Sequence, residues 1–157
     1  MITSQDIWLV DSGASTHMIG YREVLSDFKK KFCSAQVELG DEVRYEVNGV
    51  GSISLQLESG STLHLEEVLY VPSLKKNLIS LSVLENKGYL VVFSEKKVLL
   101  WQRGLPLKQA ETIGVQEGGL YKVPKQLARA LTHNQVGTSE LWHKRLGHLH
   151  YKALPDL

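Results

Sequence analysis

The residues best suited to chemistry are Asp11, Ser12 and Gly13, which follow the apolar run Trp8-Leu9-Val10 and precede Ala14. The run predicts a short buried strand that delivers the Asp11 carboxylate to its end. Ser12 and Gly13 are turn residues, and a glycine there lets a backbone or ligand approach closely. A carboxylate in that setting is costly unless it is paired, hydrogen-bonded or protonated, a cost that catalysis exploits. On local grounds alone the same residues fit an ordinary strand-to-turn acid whose serine bonds to nearby backbone. One carboxylate does not readily act as both general acid and general base. Asp6 and Asp27 lack the strand-then-turn setting, Asp41 falls in a predicted hairpin turn, and Asp156 lies at the chain end. A two-carboxylate mechanism therefore requires a second Asp11, supplied by a homodimer on a two-fold axis. Two such acids share one proton: one carboxylate takes a proton from water while its partner protonates or polarises a substrate carbonyl.

A second constellation is His143 and His148, with His150 nearby. Their His-x4-His spacing fits half of a structural zinc site. Five positions do not share one helix face, but Gly147 can end a helix and bring His148 round. His17, His64 and His133 read as solvent-exposed or turn residues. Lys29-Lys30-Lys31, between Phe28 and Phe32, reads as a solvated loop and a weak signal for nucleic acid.

Composition narrows the classes. With 43% apolar and 22% charged residues the chain is globular, and at 157 residues it can bury a core without staples. A formal net charge of +1 gives no global electrostatic case for nucleic-acid or membrane binding. One cysteine, Cys33, excludes an internal disulfide framework and suits a reducing compartment. No apolar run approaches membrane-spanning length and no signal-peptide pattern opens the sequence, so a soluble intracellular domain is expected.

Short strands with turn punctuation must position these residues. Val37 and Leu39 alternate with polar neighbours, Gly40-Asp41 suits a type II′ hairpin turn, and Val43, Tyr45 and Val47 return. Asn48-Gly49 is another turn signal. Ile53, Leu55 and Leu57 alternate in the clearest strand, and Ser59-Gly60 turns into Leu63 and Leu65, then residues 68–71, stopped by Pro72. Ser82 and Glu85 have capping-box spacing and Gly88 sits where a helix C′ residue belongs, so a short helix should precede an apolar strand at 89–93. Residues 98–101 and 105–107 suggest a hairpin across Arg103-Gly104, and Gly118-Gly119 turns into a last strand at 120–123. Beyond it, residues 125–131 suit a short helix, 132–138 a polar linker, and Ser139 and Gly147 the start and stop of another helix. Such strand spacing suggests a small closed or nearly closed β structure.

Asp11-Ser12-Gly13-Ala14 is similar to the Asp-Thr/Ser-Gly-Ala motif of retropepsin-type aspartic proteases. The wider stretch from Trp8 to Met18 resembles the protease region of copia-type retrotransposon polyproteins. Val37-Glu38-Leu39-Gly40-Asp41 resembles that family's Leu-Gly-Asp segment. Val68-Leu69-Tyr70-Val71-Pro72 and Lys76-Asn77-Leu78-Ile79-Ser80 resemble its Leu-Tyr-Val-Pro and Asn-Leu-Leu-Ser blocks. Leu141-Trp142-His143-Lys144-Arg145-Leu146-Gly147-His148 resembles the opening of integrase. The resemblance implies that Asp11 is the catalytic acid, that Ser12 joins a hydroxyl-to-backbone network tying two active-site loops across a dimer, and that Gly13 lies under the substrate. It implies that Leu39, Gly40 and Asp41 belong to a flap that closes over the peptide and excludes water, with the Asn48-Gly49 turn as a competing position. Ser15 and Thr16 replace the acids that bind substrate backbone in retroviral enzymes, so that role is not carried over. Ten residues precede Asp11, fewer than the usual amino-terminal strand and hairpin need. Strands after Phe93 are expected to supply that barrel wall, unless it lies outside this sequence.

These readings combine into a mainly β chain. Residues 1–123 form a small closed β-barrel of retropepsin type with one short helix, residues 124–138 a linker, and residues 139–157 a helical segment that begins the integrase zinc module. In integrase two downstream cysteines complete the site that His143 and His148 begin; zinc is expected only where those cysteines are present, and the protease needs no cofactor. The expected function is an aspartic endopeptidase that processes its own polyprotein as a homodimer. The alternative is a catalytically inactive β domain acting as a structural or interaction module. Expected partners are a second copy and the polyprotein peptide, without membrane or nucleic acid, in the cytoplasm within virus-like particles.

Overall fold

In the computed structural model, which describes residues 7–31, 35–57 and 59–123, the chain is built almost wholly of strands. Strand β1 (Trp8–Asp11) buries Trp8 and Val10 on one face and ends where Ser12 and Gly13 turn the chain. It is followed by β2 (Met18–Ile19) and β3 (Ser26–Lys30). Strands β4 (Gln36–Glu38) and β5 (Arg44–Glu46) pair only with each other, as a separate hairpin. The long pair β6 (Gly49–Gln56) and β7 (Thr62–Tyr70) turns at Gly60, whose φ of 88° needs glycine. Strand β8 (Asn77–Ser80) is wholly buried and runs directly into α1 (Leu81–Asn86), the single α-helix among the described residues. Four further strands follow: β9 (Tyr89–Ser94), β10 (Lys97–Gln102), β11 (Glu111–Glu117) and β12 (Leu120–Val123).

Ten strands share one sheet, in the order β3-β6-β7-β2-β8-β1-β12-β11-β10-β9. Strand β8 lies between β1, to which it is parallel, and β2, to which it is antiparallel. Strand β12 flanks the first half of β1 on the other side, with Trp8 opposite Val123 and Leu9 opposite Lys122, so a strand after Phe93 does supply a wall beside β1. The sheet rolls round one core in which Ile53, Leu55 and Leu65 join Leu81, Leu100 and Ile113. Side chains, not a ladder from β3 to β9, draw its halves together. Ser59 Oγ donates to Glu111 Oε2 at 2.8 Å, beside a cavity of about 30 Å³ lined by Leu57, Thr62, Leu100 and Trp101. This is the mainly β barrel with one short helix that the sequence led us to expect. Among the described residues no helix is long and apolar enough to cross a membrane.

Several local expectations are corrected. Lys29 and Lys30 belong to an edge strand, not a loop, and Phe28 within it meets Tyr70 edge-on with centroids 6.0 Å apart. Asn48-Gly49 is no turn: Gly49 opens β6, buried, because the Phe28 ring occupies the space a side chain would need. In the β4–β5 turn the left-handed residue is Glu42 (φ 61°), and its N–H donates to the Leu39 carbonyl at 2.9 Å. That is a type I turn followed by a left-handed residue, where type II′ would put Gly40 at positive φ. The α1 N-cap is Ser80, whose Oγ accepts the Val83 N–H at 3.3 Å, so the Ser82–Glu85 box is not used; Gly88 does follow the helix at φ 91°. Leu105 and Leu107 do not return as a strand, since Leu107–Gln109 is a 3-10 turn and β11 pairs with β10 instead. The expected linker, the helical segment beyond it, His143 and His148 lie outside the described residues.

Candidate active site

Asp11 ends β1 half-buried, with its Cα paired to that of Ser80 at the end of β8. Ser12 and Gly13 are both exposed in the turn that follows. The Gly13 N–H donates to Asp11 Oδ1 at 2.7 Å, so the carboxylate folds back on its own turn. A Cβ at position 13 would stand only 3.2 Å from that oxygen. The close approach expected at Gly13 is therefore made by the Asp11 carboxylate itself. Oδ2 has no hydrogen-bond partner among the described residues and is available to a water, a substrate or a second carboxylate.

Behind this turn stands Ser80, fully buried. Its Oγ donates to the Ala14 carbonyl at 2.6 Å, and its N–H donates to His17 Nδ1 at 2.9 Å. His17 is 2% exposed, which corrects its reading as a solvent or turn residue. Its carbonyl also accepts the Leu69 N–H at 2.9 Å, tying the loop to β7. Since Nδ1 accepts, the ring is neutral with its proton on Nε2. Burial first, then the Lys87 ammonium, push its pKa down from 6.5 to about 4. Both residues escaped the sequence reading of the site. The available signal for His17 was its apolar company, Ala14, Met18 and Ile19; nothing local ranks Ser80 above Ser82 as the cap.

Leu39, Gly40 and Asp41 lie at the turn of the β4–β5 hairpin, with Gly40 and Asp41 exposed. Asp41 orders that turn by accepting the Tyr45 hydroxyl at 2.7 Å and the Val43 N–H at 3.1 Å. The Tyr45 bond, reinforced by the Val43 amide, holds the Asp41 carboxyl below the usual carboxylate range and raises the Tyr45 phenol. At the base, Val37, Leu39 and Tyr45 pack on a cluster of Ala14, Met18, Val47, Val71 and Leu78. The hairpin thus rests on the apolar patch that includes the residue just past the Asp11 turn.

A groove of about 580 Å³ lies elsewhere, lined by Thr16, Lys29, Lys31, His64, Glu66 and Glu67 among others, and not by Asp11. Its lysines face acids, and Glu66 already holds Lys87 at 2.9 Å, so it is not a surface of one sign. Among the described residues no group of three His, Cys, Asp or Glu side chains could hold a metal ion.

The model of the Pol polyprotein beta-barrel domain matches residues 8–89, from β1 to the first residue of β9. Over 158 residues the chain is 31% identical to the retrovirus-related Pol polyprotein from transposon TNT 1-94 of Nicotiana tabacum, a match covering 96% of the chain and 11% of that protein. It is 32% identical to the corresponding polyprotein from transposon RE1 of Arabidopsis thaliana, over 92% of the chain and 10% of the relative. For transposon RE2 of the same plant the figures are 33%, 90% and 10%. The chain spans about a tenth of the length of these curated relatives.

Proposed function

The chain belongs to the Pol polyprotein β-barrel family, within retrotransposon Pol polyproteins of copia type, and from that premise we propose that it is an aspartic endopeptidase that processes its own polyprotein as a homodimer. The observation that carries this reading is the Asp11 turn, with Oδ1 held by the Gly13 N–H at 2.7 Å and Oδ2 open. Two such turns, one per subunit, face each other across a two-fold axis and share one proton. The unprotonated carboxylate takes a proton from water as the water oxygen attacks the scissile carbonyl carbon. The other gives its proton to the carbonyl oxygen. Proton transfer to the amide nitrogen then breaks the C–N bond, releasing a carboxylic acid and an amine and leaving one proton on the pair. The Ser12 hydroxyl ties the two turns together, and the hairpin carrying Leu39, Gly40 and Asp41 closes over the peptide. In this reading residues 1–123 are the protease, 124–138 a tether and 139–157 the start of integrase.

The test is processing of the polyprotein that contains this chain, with Asp11 intact or as Asp11→Asn. Cleavage products should disappear in the variant while its circular dichroism stays that of the parent. Unchanged processing would remove Asp11 from the mechanism and leave a structural module. Sedimentation should show a monomer–dimer equilibrium, and monomer alone at high concentration would count against a shared site.

A further inference from the structure

We propose that His17 is a positioning residue for the Asp11 loop, holding that loop against β8 only while its imidazole is neutral. The inference rests on the reading of Asp11 as the catalytic acid and concerns what keeps its turn in place. The loop from Ser12 to His17 has two anchors on β8, and both are on Ser80. One is the Ser80 Oγ bond to the Ala14 carbonyl at 2.6 Å; the other is the Ser80 N–H bond to His17 Nδ1 at 2.9 Å. Ser80 is in register with Asp11, so a shift of β8 at Ser80 is a shift beside the carboxylate. The histidine is 2% exposed and cannot swing into solvent without opening the loop. A backbone N–H requires an acceptor; a protonated imidazole has two donors and none. Protonation of His17 therefore sets donor against donor at Ser80 and breaks the second anchor.

The charged groups on the neighbouring elements are Asp11 at the end of β1, Glu66 and Glu67 on β7, Glu85 on α1 and Lys87 at its end, the last paired with Glu66 at 2.9 Å; His64 and Tyr70 are the other titratable side chains of β7. Of these, Lys87 acts against an imidazolium and adds to the larger effect of burial, which together hold the pKa at about 4. The sign follows from linkage. Between pH 6.5 and about 4 the unfolded chain binds a proton at His17 that the folded chain does not. The stability tied to the neutral ring is complete above pH 6.5, fades as pH falls through that interval, and is gone below about 4. A carboxylate pair that shares a proton would lose its scaffold on the acid side, so His17 sets the acid limb of the reaction.

The test uses the full 157-residue chain and two variants, His17→Asn and His17→Ala. Asparagine places Oδ1 where Nδ1 stands, so it accepts from Ser80 and does not titrate. In the parent, the His17 ring proton resonances should titrate near pH 4, and the thermal midpoint should fall between pH 6.5 and 4. In His17→Asn that fall should be at least halved, and the acid limb of polyprotein cleavage should move down by about one pH unit. His17→Ala should cleave at least about tenfold more slowly than the parent at neutral pH, with His17→Asn restoring the rate. A His17 ring that titrates near 6.5, or a His17→Asn chain with the parent's pH slope, overturns the proposal. If the parent does not cleave at all, the protease reading fails, while the titration and stability measurements still decide the role of His17. Should His17→Ala fail to fold, His17→Asn alone decides it.

Discussion

Ser80 serves four partners with one side chain and one amide: the Ala14 carbonyl, the Val83 N–H in the first turn of α1, the Ser82 hydroxyl and the His17 ring. Ser80→Ala leaves a buried carbonyl unpaired and uncaps the helix, so it should cost about 1–3 kcal/mol in urea denaturation. Ser82 is exposed but its hydroxyl lies 3.0 Å from Ser80 Oγ, so Ser82→Ala should cost less than Ser80→Ala, at most about 1 kcal/mol. At the hairpin, Asp41 is held below the ordinary carboxylate range by Tyr45 and the Val43 amide. The order it lends the turn is therefore complete above the ordinary carboxylate pKa and is lost as pH falls through its own lower one. Amide exchange at Val43 should quicken in strong acid, and in Asp41→Ala at every pH. The place of Asp11 at a strand end was legible in the sequence because its signature is local, an apolar run broken by a turn. His17 and Ser80 were not, because their partners are 63 and 66 residues apart in the chain. A histidine beside a turn looks the same whether it meets solvent or a buried amide.

Period-2 alternation identified β4 and β5, whose outer residues are exposed around a half-buried one, and β6, whose buried Ile53 and Leu55 alternate with half-buried Ser54 and Gln56. It missed β3, whose Lys29 and Lys30 are exposed. Turn chemistry was the less reliable guide. Glu95 and Lys96 turn β9 into β10 with φ of 48° and 63°, although neither is a turn-forming residue by type. Gly49, flagged as a turn, is a packing glycine inside a strand. The distinction can be measured. Gly49→Ala drives a methyl into the Phe28 ring and within 2.9 Å of the Lys29 carbonyl, and should destabilise by about 1–3 kcal/mol. Gly40→Ala meets nothing within 4 Å at a residue without positive φ, and should be neutral within about 0.5 kcal/mol. The reverse ranking would mean that the β4–β5 turn, not the Phe28 contact, is what glycine serves.

For the molecule as a whole, the mainly β class was legible from short alternating runs and turn punctuation, but the strand order was not. Long-range pairing carries no local signature, and β1 finds its neighbours at β8 and β12. Removing residues 98–123 takes away β10, β11 and β12 and strips one flank from β1, where Trp8 is 1% exposed. We expect the shortened chain to lose cooperative thermal unfolding by circular dichroism and to aggregate through its bare edge. A soluble, cooperatively melting product would show that the family-matched residues 8–89 suffice. The pairing of Trp8 with Val123 has a temporal consequence as well. On a ribosome, the strand that presents Asp11 emerges first and waits for its partner, roughly 5–25 s at usual elongation rates. The acid is made early and seated late. Translation thus acts as a clock: the strand that carries Asp11 is not flanked on both sides until residue 123 has left the tunnel.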